Sequence, residues 1–303
     1  MTSSLLTNSA AMTALQTLRS VSQSLATTQN RISTGQRVAT ASDNSAYWSI
    51  ATSMRADNNA LSAVSDSLGL SAATVDTQYT ALTAVLGQEG TSGLNKLEAL
   101  LVEAKTAGID RNKIQSEITQ IQQDMKNTAN SATFNGVNWL STTAATPATV
   151  NLVSSYSRVG ATPSISTIQV TVANYSLYTS TTSGILDTPT AGVSVDNMNI
   201  SALTDSAADQ TTLDGYISQV TAAINTVSQS AADLGAIKNR ITNNTDFVKS
   251  LMDSVTRGIG QLVDADMNAE STRLSALQTQ QQLGVQALSI ANQNSQSILS
   301  LFR

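Results

Sequence analysis

Apolar residues recur every seven positions along both ends of this 303-residue chain. Near the start Ala11, Leu18, Leu25 and Ile32 keep that spacing, with Ala14 and Val21 between them. Leu61, Leu68, Val75 and Leu82 repeat it, joined by Val64 and Tyr79, and Ile114, Ile118, Ile121 and Met125 form a third stripe. On the far side Ile241, Val248, Val255, Leu262, Ala269, Ala276, Leu283 and Ile290 hold one phase through seven successive heptads. Sustained seven-residue spacing predicts helices packed along one another rather than a compact globule. An ordinary amphipathic helix in a globular core explains one such stripe but not four long ones in one chain. A first helix over residues 3–33 would be about 45 Å long.

The breaks between these stretches carry their own signals. Ser33-Thr34-Gly35 ends the first, glycine supplying the left-handed residue after a helix, and Ser42-Asp43-Asn44 offers capping oxygens to the next. Gly87, Gly90 and Gly93 separate the second and third stretches, and Phe134-Asn135-Gly136-Val137 predicts a tight turn. All three prolines, Pro147, Pro163 and Pro189, lie in the middle, where only Arg158, Asp187 and Asp196 carry charge between residues 141 and 204. Runs at residues 149–155, 164–173 and 193–200 are β-branched and partly alternating, which predicts a small β-rich insert. A disordered Ser/Thr linker is the alternative there.

Composition narrows the function. Charged residues are 12% of the chain, about half the roughly 25% of ordinary soluble domains. A monomer needs charge to stay apart from its neighbours, whereas a subunit covered by its own copies does not. A net charge of −5 and a pI near 4.7 argue against nucleic acid, which needs a basic face. The absence of His and Cys removes imidazole bases, thiolate nucleophiles, most zinc chemistry and disulfides, which disfavours catalysis and implies no cofactor. The first 30 residues lack the pattern of a secretory signal peptide, and no stretch has the ~18 apolar residues of a membrane span.

The two ends are the most telling. Residues 1–42 contain Arg19, Arg31 and Arg37 and no acid, and residues 277–302 contain no ionisable side chain at all. A helix of Gln, Asn, Ser and Thr around Leu, Val, Ile and Ala is too polar for lipid and too uncharged for a free surface. It suits burial among other helices. Termini that are the stickiest surfaces of a chain point to a polymerising, non-enzymatic subunit.

Several motifs, in order, carry a family resemblance. Ser33-Thr34-Gly35-Gln36-Arg37-Val38 followed by Ala41-Ser42-Asp43-Asn44-Ser45-Ala46 resembles the bacterial flagellin pattern S-[ST]-G-x-R-[IV] and A-x-D-[DN]-[AS]-A. Ile114-Gln115-Ser116-Glu117-Ile118 with Phe134-Asn135-Gly136 downstream is similar to a turn region of flagellins. Asp264-Ala265-Asp266 with Glu270, Gln281-Gln282-Leu283-Gly284, Ala291-Asn292-Gln293 and Ile298-Leu299-Ser300-Leu301-Phe302-Arg303 resemble the family's C-terminus end to end. Each motif alone is weak, but all of them in order at both termini are specific. The short insert and the tryptophans at 48 and 139 are similar to flagellins of soil alphaproteobacteria, the rhizobial type.

The resemblance implies a mainly α fold with a small β-rich central insert. Residues 1–42 with 262–303 would form a terminal coiled coil lining an inner tube. Residues 43–140 with 205–261 would form a helical rod, and residues 141–204 a variable outward domain. Leu18, Leu25, Arg31, Ile32, Arg37 and Asp43 at one end are expected to carry subunit assembly. At the other end the expected set is Asp264, Asp266, Leu283, Leu288, Ile290, Ile298 and Leu301. The implied partners are copies of the chain, other flagellins, an export chaperone, a filament cap and hook-associated junction proteins, without nucleic acid or membrane insertion. The implied place is the extracellular flagellar filament, reached unfolded through the flagellar export apparatus without a cleaved signal. Enteric flagellins present L-Q-R-V-R-E-L to an innate immune receptor. Here the stretch reads Leu94-Asn95-Lys96-Leu97-Glu98-Ala99-Leu100, so Leu94, Lys96 and Glu98, with Glu117 on the next helix, form an altered version.

Three other readings compete. A hook–filament junction protein would have related terminal helices, but the Asp264-Ala265-Asp266 stretch and the Leu-Ser-Leu-Phe-Arg ending favour flagellin. A filament-borne zinc protease would need H-E-x-x-H, and the chain has no His. Asp264, Asp266 and Glu270 are the one metal-site temptation. Their spacing along a helix more simply gives a solvated or interfacial face paired with Arg31 or Arg37. A coiled-coil adhesin leaves the two self-complementary termini unexplained.

Overall fold

The computed structural model describes residues 8–87, 92–143, 148–160, 162–190 and 192–301, so Gly90, Pro147 and Phe302 lie outside it. The fold is mainly α. In chain order the elements are α1 (Ser9–Thr34), α2 (Ser45–Leu86), α3 (Gly93–Glu103), α4 (Arg111–Ser131), β1 (Ser141–Thr142), β2 (Thr149–Val159), β3 (Thr162–Thr171), β4 (Tyr178–Thr179), α5 (Ala207–Val263) and α6 (Met267–Leu301). The chain divides into two compact units, residues 1–59 with 252–303 and residues 60–251, and the division falls inside α2 and α5.

Residues 60–251 are organised by α5. Leu213, Val220, Val227, Leu234, Ile241 and Val248 recur every seven residues and are each at most 1% exposed. This extends upstream the phase read from Ile241 onward. Leu61, Leu68, Val75 and Leu82 of α2 are buried as the periodicity predicts, as are Ile114, Ile118 and Met125 of α4. The helices start where side-chain oxygens meet free backbone N–H groups. Asn44 Oδ1 accepts from the Tyr47 N–H at 3.0 Å and Asp110 Oδ1 from the Asn112 N–H at 3.1 Å. Before α5, Ser206 Oγ accepts from the Asp209 N–H, and the Asp209 carboxylate reaches back to the N–H and hydroxyl of Thr204.

The predicted turn forms. Phe134 and Val137 exchange two backbone hydrogen bonds of 2.9 Å, with Asn135 at φ 50° and Gly136 at φ 77°, the left-handed pair of a type I′ turn. β2 and β3 make an antiparallel hairpin across the first two β-branched runs. The third run differs from expectation. Residues 193–200 form no strand but an irregular segment around a 3₁₀ turn at Val195–Asn197. The reason is that α4 supplies its hydrogen bonds. Gln122 Nε2 donates to the carbonyls of Val195 and Met198 at 2.9 and 3.3 Å, and Gln115 Oε1 accepts from the Ile200 N–H at 2.7 Å. A backbone satisfied by side-chain amides has no need of a sheet partner.

The central segment shares the core of this unit. Leu152, Ile168, Val170, Tyr175, Leu177, Leu186, Met198 and Ile200 are buried. Ser230 of α5 donates to the Asn174 carbonyl at 2.8 Å, and Gln219 to that of Val193 at 3.0 Å. Gln78 of α2 bridges the Ala132 carbonyl and the Trp139 N–H at 2.8 and 3.2 Å, beneath the fully buried indole of Trp139. The distal half of the hairpin is different, with Ser157, Arg158 and residues 162–167 exposed.

Arg111 closes the unit. It is 8% exposed and donates to the Ala104 and Leu203 carbonyls at 3.1 and 3.2 Å and to Asp205 at 2.6 Å. Replacing it with Met should lower the stability of this unit by roughly 3 kcal/mol, because a buried carbonyl and a half-buried one lose a charged donor. Denaturation followed by the emission of Trp139 checks this, and an unchanged midpoint contradicts it.

Candidate assembly surface

α1 and α6 run antiparallel, as three contacts along their length show. Asn8 Nδ2 donates to the Ala291 carbonyl at 2.9 Å, Leu18 lies over Gly284, and Arg31 meets Glu270. Asn8 also caps its own helix, its Oδ1 accepting from the Ala11 N–H at 3.1 Å. On α1 the covered stripe is the predicted one, Ala11, Ala14, Leu18, Val21, Leu25 and Ile32, and it also includes the buried Thr28. A Cβ at Gly284 would sit 3.2 Å from Leu18 Cδ1, so the glycine is the notch that admits this leucine.

On α6 the expected face is not the one used. The single phase read through Ile290 breaks at residues 264–266, between α5 and α6. Beyond the break Glu270, Leu274, Leu277, Gln281, Gly284, Leu288 and Ala291 turn inward, whereas Ala269, Ala276, Leu283 and Ile290 are exposed. Leu283 and Ile290 therefore lie on one exposed flank of α6 and Val285 and Met267 on the other, while α1 exposes Met12 and Leu15. Leu288 sits on the seam. The side chains of Ile298 and Leu301 lie outside the described residues. The true stripe was available to sequence reading, since it keeps an alternating spacing of four and three once counting restarts after Asp266.

The break is where the two ends of the chain join. Gly35 takes φ 70° after α1, and its carbonyl accepts from the Ala265 N–H at 2.9 Å. The Arg37 and Val38 N–H groups converge on the Val263 carbonyl at 2.6 and 3.2 Å, and the Arg37 guanidinium reaches the Leu262 carbonyl at 3.1 Å. The arginine thus covers carbonyls left free at the C-terminus of α5, where positive charge is favoured. Asp264 and Asp266 do not lie along one helix with Glu270, as the spacing suggested. Asp264 pairs its backbone with Gln36 in the break, and Asp266 caps α6 through the Asn268 N–H at 2.9 Å. Glu270 alone pairs with a basic residue, Arg31 Nη1 at 3.0 Å. Among the described residues no group of three His, Cys, Asp or Glu side chains could hold a metal ion.

In the other unit, Leu94 and Leu97 of the altered receptor stretch are fully buried. Lys96 faces Glu117 of α4 at 3.9 Å, and Glu98 accepts from Thr221 of α5 at 2.7 Å. Thus Lys96 and Glu117 are open to solvent while Glu98 is tied to a neighbouring helix.

Asp43 closes the loop after α1. Its Oδ2 accepts from the N–H groups of Ala39 and Thr40 at 3.1 and 2.9 Å and from the Thr40 hydroxyl at 3.1 Å. The Thr40 bonds hold its carboxyl below the ordinary 3.8, with smaller help from Ala39 and the charge of Arg31. A depressed carboxylate stabilises the fold above its unfolded pKa, and that stability is lost as pH falls through the folded one. The amide signals of Ala39 and Thr40 should therefore shift together with a midpoint below 3.8. Asp43→Asn should abolish the transition, and a midpoint above the ordinary value would contradict the geometry.

The chain matches two family models, the bacterial flagellin N-terminal helical region over residues 5–145 and the C-terminal helical region over residues 217–302. Among similar proteins, it is 45% identical to a flagellin of Brucella melitensis over 302 residues, covering 99% of each chain. It is 43% identical to flagellin C of Rhizobium meliloti over 328 residues, again covering 99% of each. With flagellin A of Rhizobium meliloti it shares 38% identity over 403 residues, covering 99% of this chain and 100% of the other. With both terminal regions matched and its whole length aligned to these relatives, the chain belongs to the bacterial flagellin family.

Proposed function

We propose that this chain is the structural subunit of a bacterial flagellar filament, an extracellular helical polymer of its own copies that serves as the propeller for swimming. The observation that carries the reading is the outer face of the α1–α6 pair. Leu283 and Ile290 stand 58% and 63% exposed on one side of a helix with no charge beyond Arg273. Apolar residues left uncovered on an uncharged helix mark an interaction site, and in a self-assembling family the cover is another copy. The seam residues Leu18, Leu25, Ile32 and Leu288 hold the pair together. Arg31, Arg37, Asp43, Asp264 and Asp266 fix the joint at its end.

The paired termini would form the inner tube, α2 to α5 the rod around it, and the exposed half of the hairpin the outward face. The family models leave residues 146–216 unmatched, which supports placing the variable part there. Buried residues from Ile168 to Ile200 stay with the rod in this reading. The export apparatus delivers the chain unfolded and without a cleaved signal, and a chaperone, a cap and junction proteins attend it. The role is structural rather than enzymatic. In the stretch read by the immune receptor Lys96 replaces one arginine of enteric flagellins and Glu98 reverses the charge of another, so recognition through it is weakened.

Removing residues 275–303 deletes most of the α6 seam and its outer face but nothing from the other unit. The truncated chain should keep Trp139 buried and fail to elongate filament seeds. Seeds growing to normal length would refute the reading. Excising residues 157–166 with a two-residue turn in their place should leave assembly intact, because solvent-facing loops add little to a core formed elsewhere. Deletion through residue 189 should instead unfold residues 60–251, since it removes Ile168, Val170, Leu177 and Leu186 from the core. Thermal melts and negative-stain microscopy of both variants separate these outcomes.

A further inference from the structure

Apart from Arg31, Glu270 and Arg273 near the joint, helices α1 and α6 carry one ionisable side chain, Arg19. It stands exposed near the middle of α1, and among the described residues its side chain makes neither an ion pair nor a hydrogen bond. Where copies cover the pair, that charge loses its water, which is costly unless a carboxylate meets it. Residues 1–42 hold no acid and α6 holds none beyond Glu270, so the carboxylate is not on the faces beside Arg19.

Uncompensated carboxylates gather instead at the joint. A hollow of about 500 Å³ there is lined by Arg37, Gln261, Asp264, Asp266 and Glu270. Arg37 is turned to the Leu262 carbonyl and Arg31 to Glu270 Oε1, so three carboxylates stand against two arginines. The exposed carboxylate of Asp264 has no partner among the described residues. Glu270 is 9% exposed, and its Oε2 accepts no hydrogen bond. A guanidinium, with five donors in a planar fork, is suited to such a set of acceptors. Arg19 cannot supply it within the chain. It lies sixteen positions before Gly35, where α1 meets the joint, and at ~1.5 Å per residue that is about 24 Å along the helix.

We propose that Arg19 of one copy enters the joint hollow of a second copy and pairs with Asp264, setting the two copies about 24 Å apart along the axis of the α1–α6 pair. This rests on the filament reading above and names the contact that fixes its register. The two patches are different surfaces of one chain, so the contact is heterologous, the kind that repeats into an open helical array. Uncharged helix faces specify little about how far one copy slides along the next. A lone charge with one distant counter-charge holds at a single offset, as charged flanking positions set the pairing of coiled coils.

Seeded elongation of the parent chain, of Arg19→Glu and of Arg19→Glu with Asp264→Arg gives the first test. Neither side chain has a partner in the free chain, so helix content should be unchanged in all three. Arg19→Glu should need a roughly tenfold higher concentration to elongate seeds, because like charges then meet. The double exchange should return towards the parental value. Cross-linking reads the contact directly, since the chain has no cysteine of its own. Filaments are grown from Arg19→Cys and Asp264→Cys chains together, or from either one with the parent chain, and treated with a short bis-maleimide. Dimers should form in the mixture and not with either variant alone. Arg19→Glu elongating at the parental concentration overturns the proposal. So does a double exchange that keeps its helix content yet elongates no better than Arg19→Glu. A mixture with no more dimers than the single variants overturns it as well, and that result decides alone if Asp264→Arg alters the helix content. If the parent chain itself does not elongate seeds, it is the filament reading that fails.

Discussion

Helix propensity alone does not hold a 26-residue segment folded in water, so the α1–α6 pair depends on its seam. That seam sets Leu18, Val21, Leu25 and Ile32 of α1 against Leu274, Leu277 and Leu288 of α6, with glycine, alanine, threonine and glutamine between them. Directional contacts at its two ends add to the apolar burial. Asn8 clasps Ala291 at one end. At the other, Arg31 meets Glu270 while Gly35 and Val263 accept backbone hydrogen bonds across the joint. The inward leucines and these directional contacts agree on which face of α6 is consumed within the chain and which is left over.

The other unit solves a different problem, how to keep an irregular central segment packed on helices without a full sheet. Its answer is the side-chain amide. Gln78, Gln115, Gln122 and Gln219 project from three helices and meet the backbone of residues 132–200, while Arg111 gathers the ends of α3 and the approach to α5. Neutral amides donate and accept at once and enter a core with far less desolvation than a charge. This accounts for a chain so rich in polar residues and so poor in ionic ones.

The helices were legible because they repeat. The stripes from Leu61 to Leu82 and from Ile241 to Val248 are buried as read, and Gly35 and Asn135-Gly136 turn the chain where their freedom to adopt positive φ predicts. What periodicity could not show is that a helix break resets the phase. Asp266 caps a new helix, so counting sevens through residues 264–266 chose the wrong face of α6. Nor could local β-propensity reveal that residues 193–200 would be claimed by Gln115 and Gln122 across the fold, because that competition depends on partners distant in sequence. Of the residues expected to carry assembly, Leu18, Leu25 and Ile32 lie on the covered stripe of α1, while Asp264 and Asp266 fall in the break rather than along a helix. Leu283 and Ile290 are outward-facing, because the phase restarts at Asp266.

Several ionisable groups sit where the path of the chain must be fixed. Asp43 ties a loop, Asp110, Asp209 and Asp266 start helices, Arg37 covers the end of one, and Arg31 with Glu270 joins the two ends. Each acts on a backbone group or an opposite charge already in place, so its desolvation is offset locally. Charge continues along α2, α4 and α5, but α6 beyond Arg273 has none up to Leu301. A charge there would have to be stripped of water each time a copy joined its neighbours, and it would repel its own image in the next copy. A homopolymer brings the same residue to every equivalent interface, so the most economical lattice face is one on which no residue needs a partner of opposite sign. Keeping charge off the far part of α6 leaves that helix open to identical neighbours, while the charged groups at the joint fix the path of the single chain.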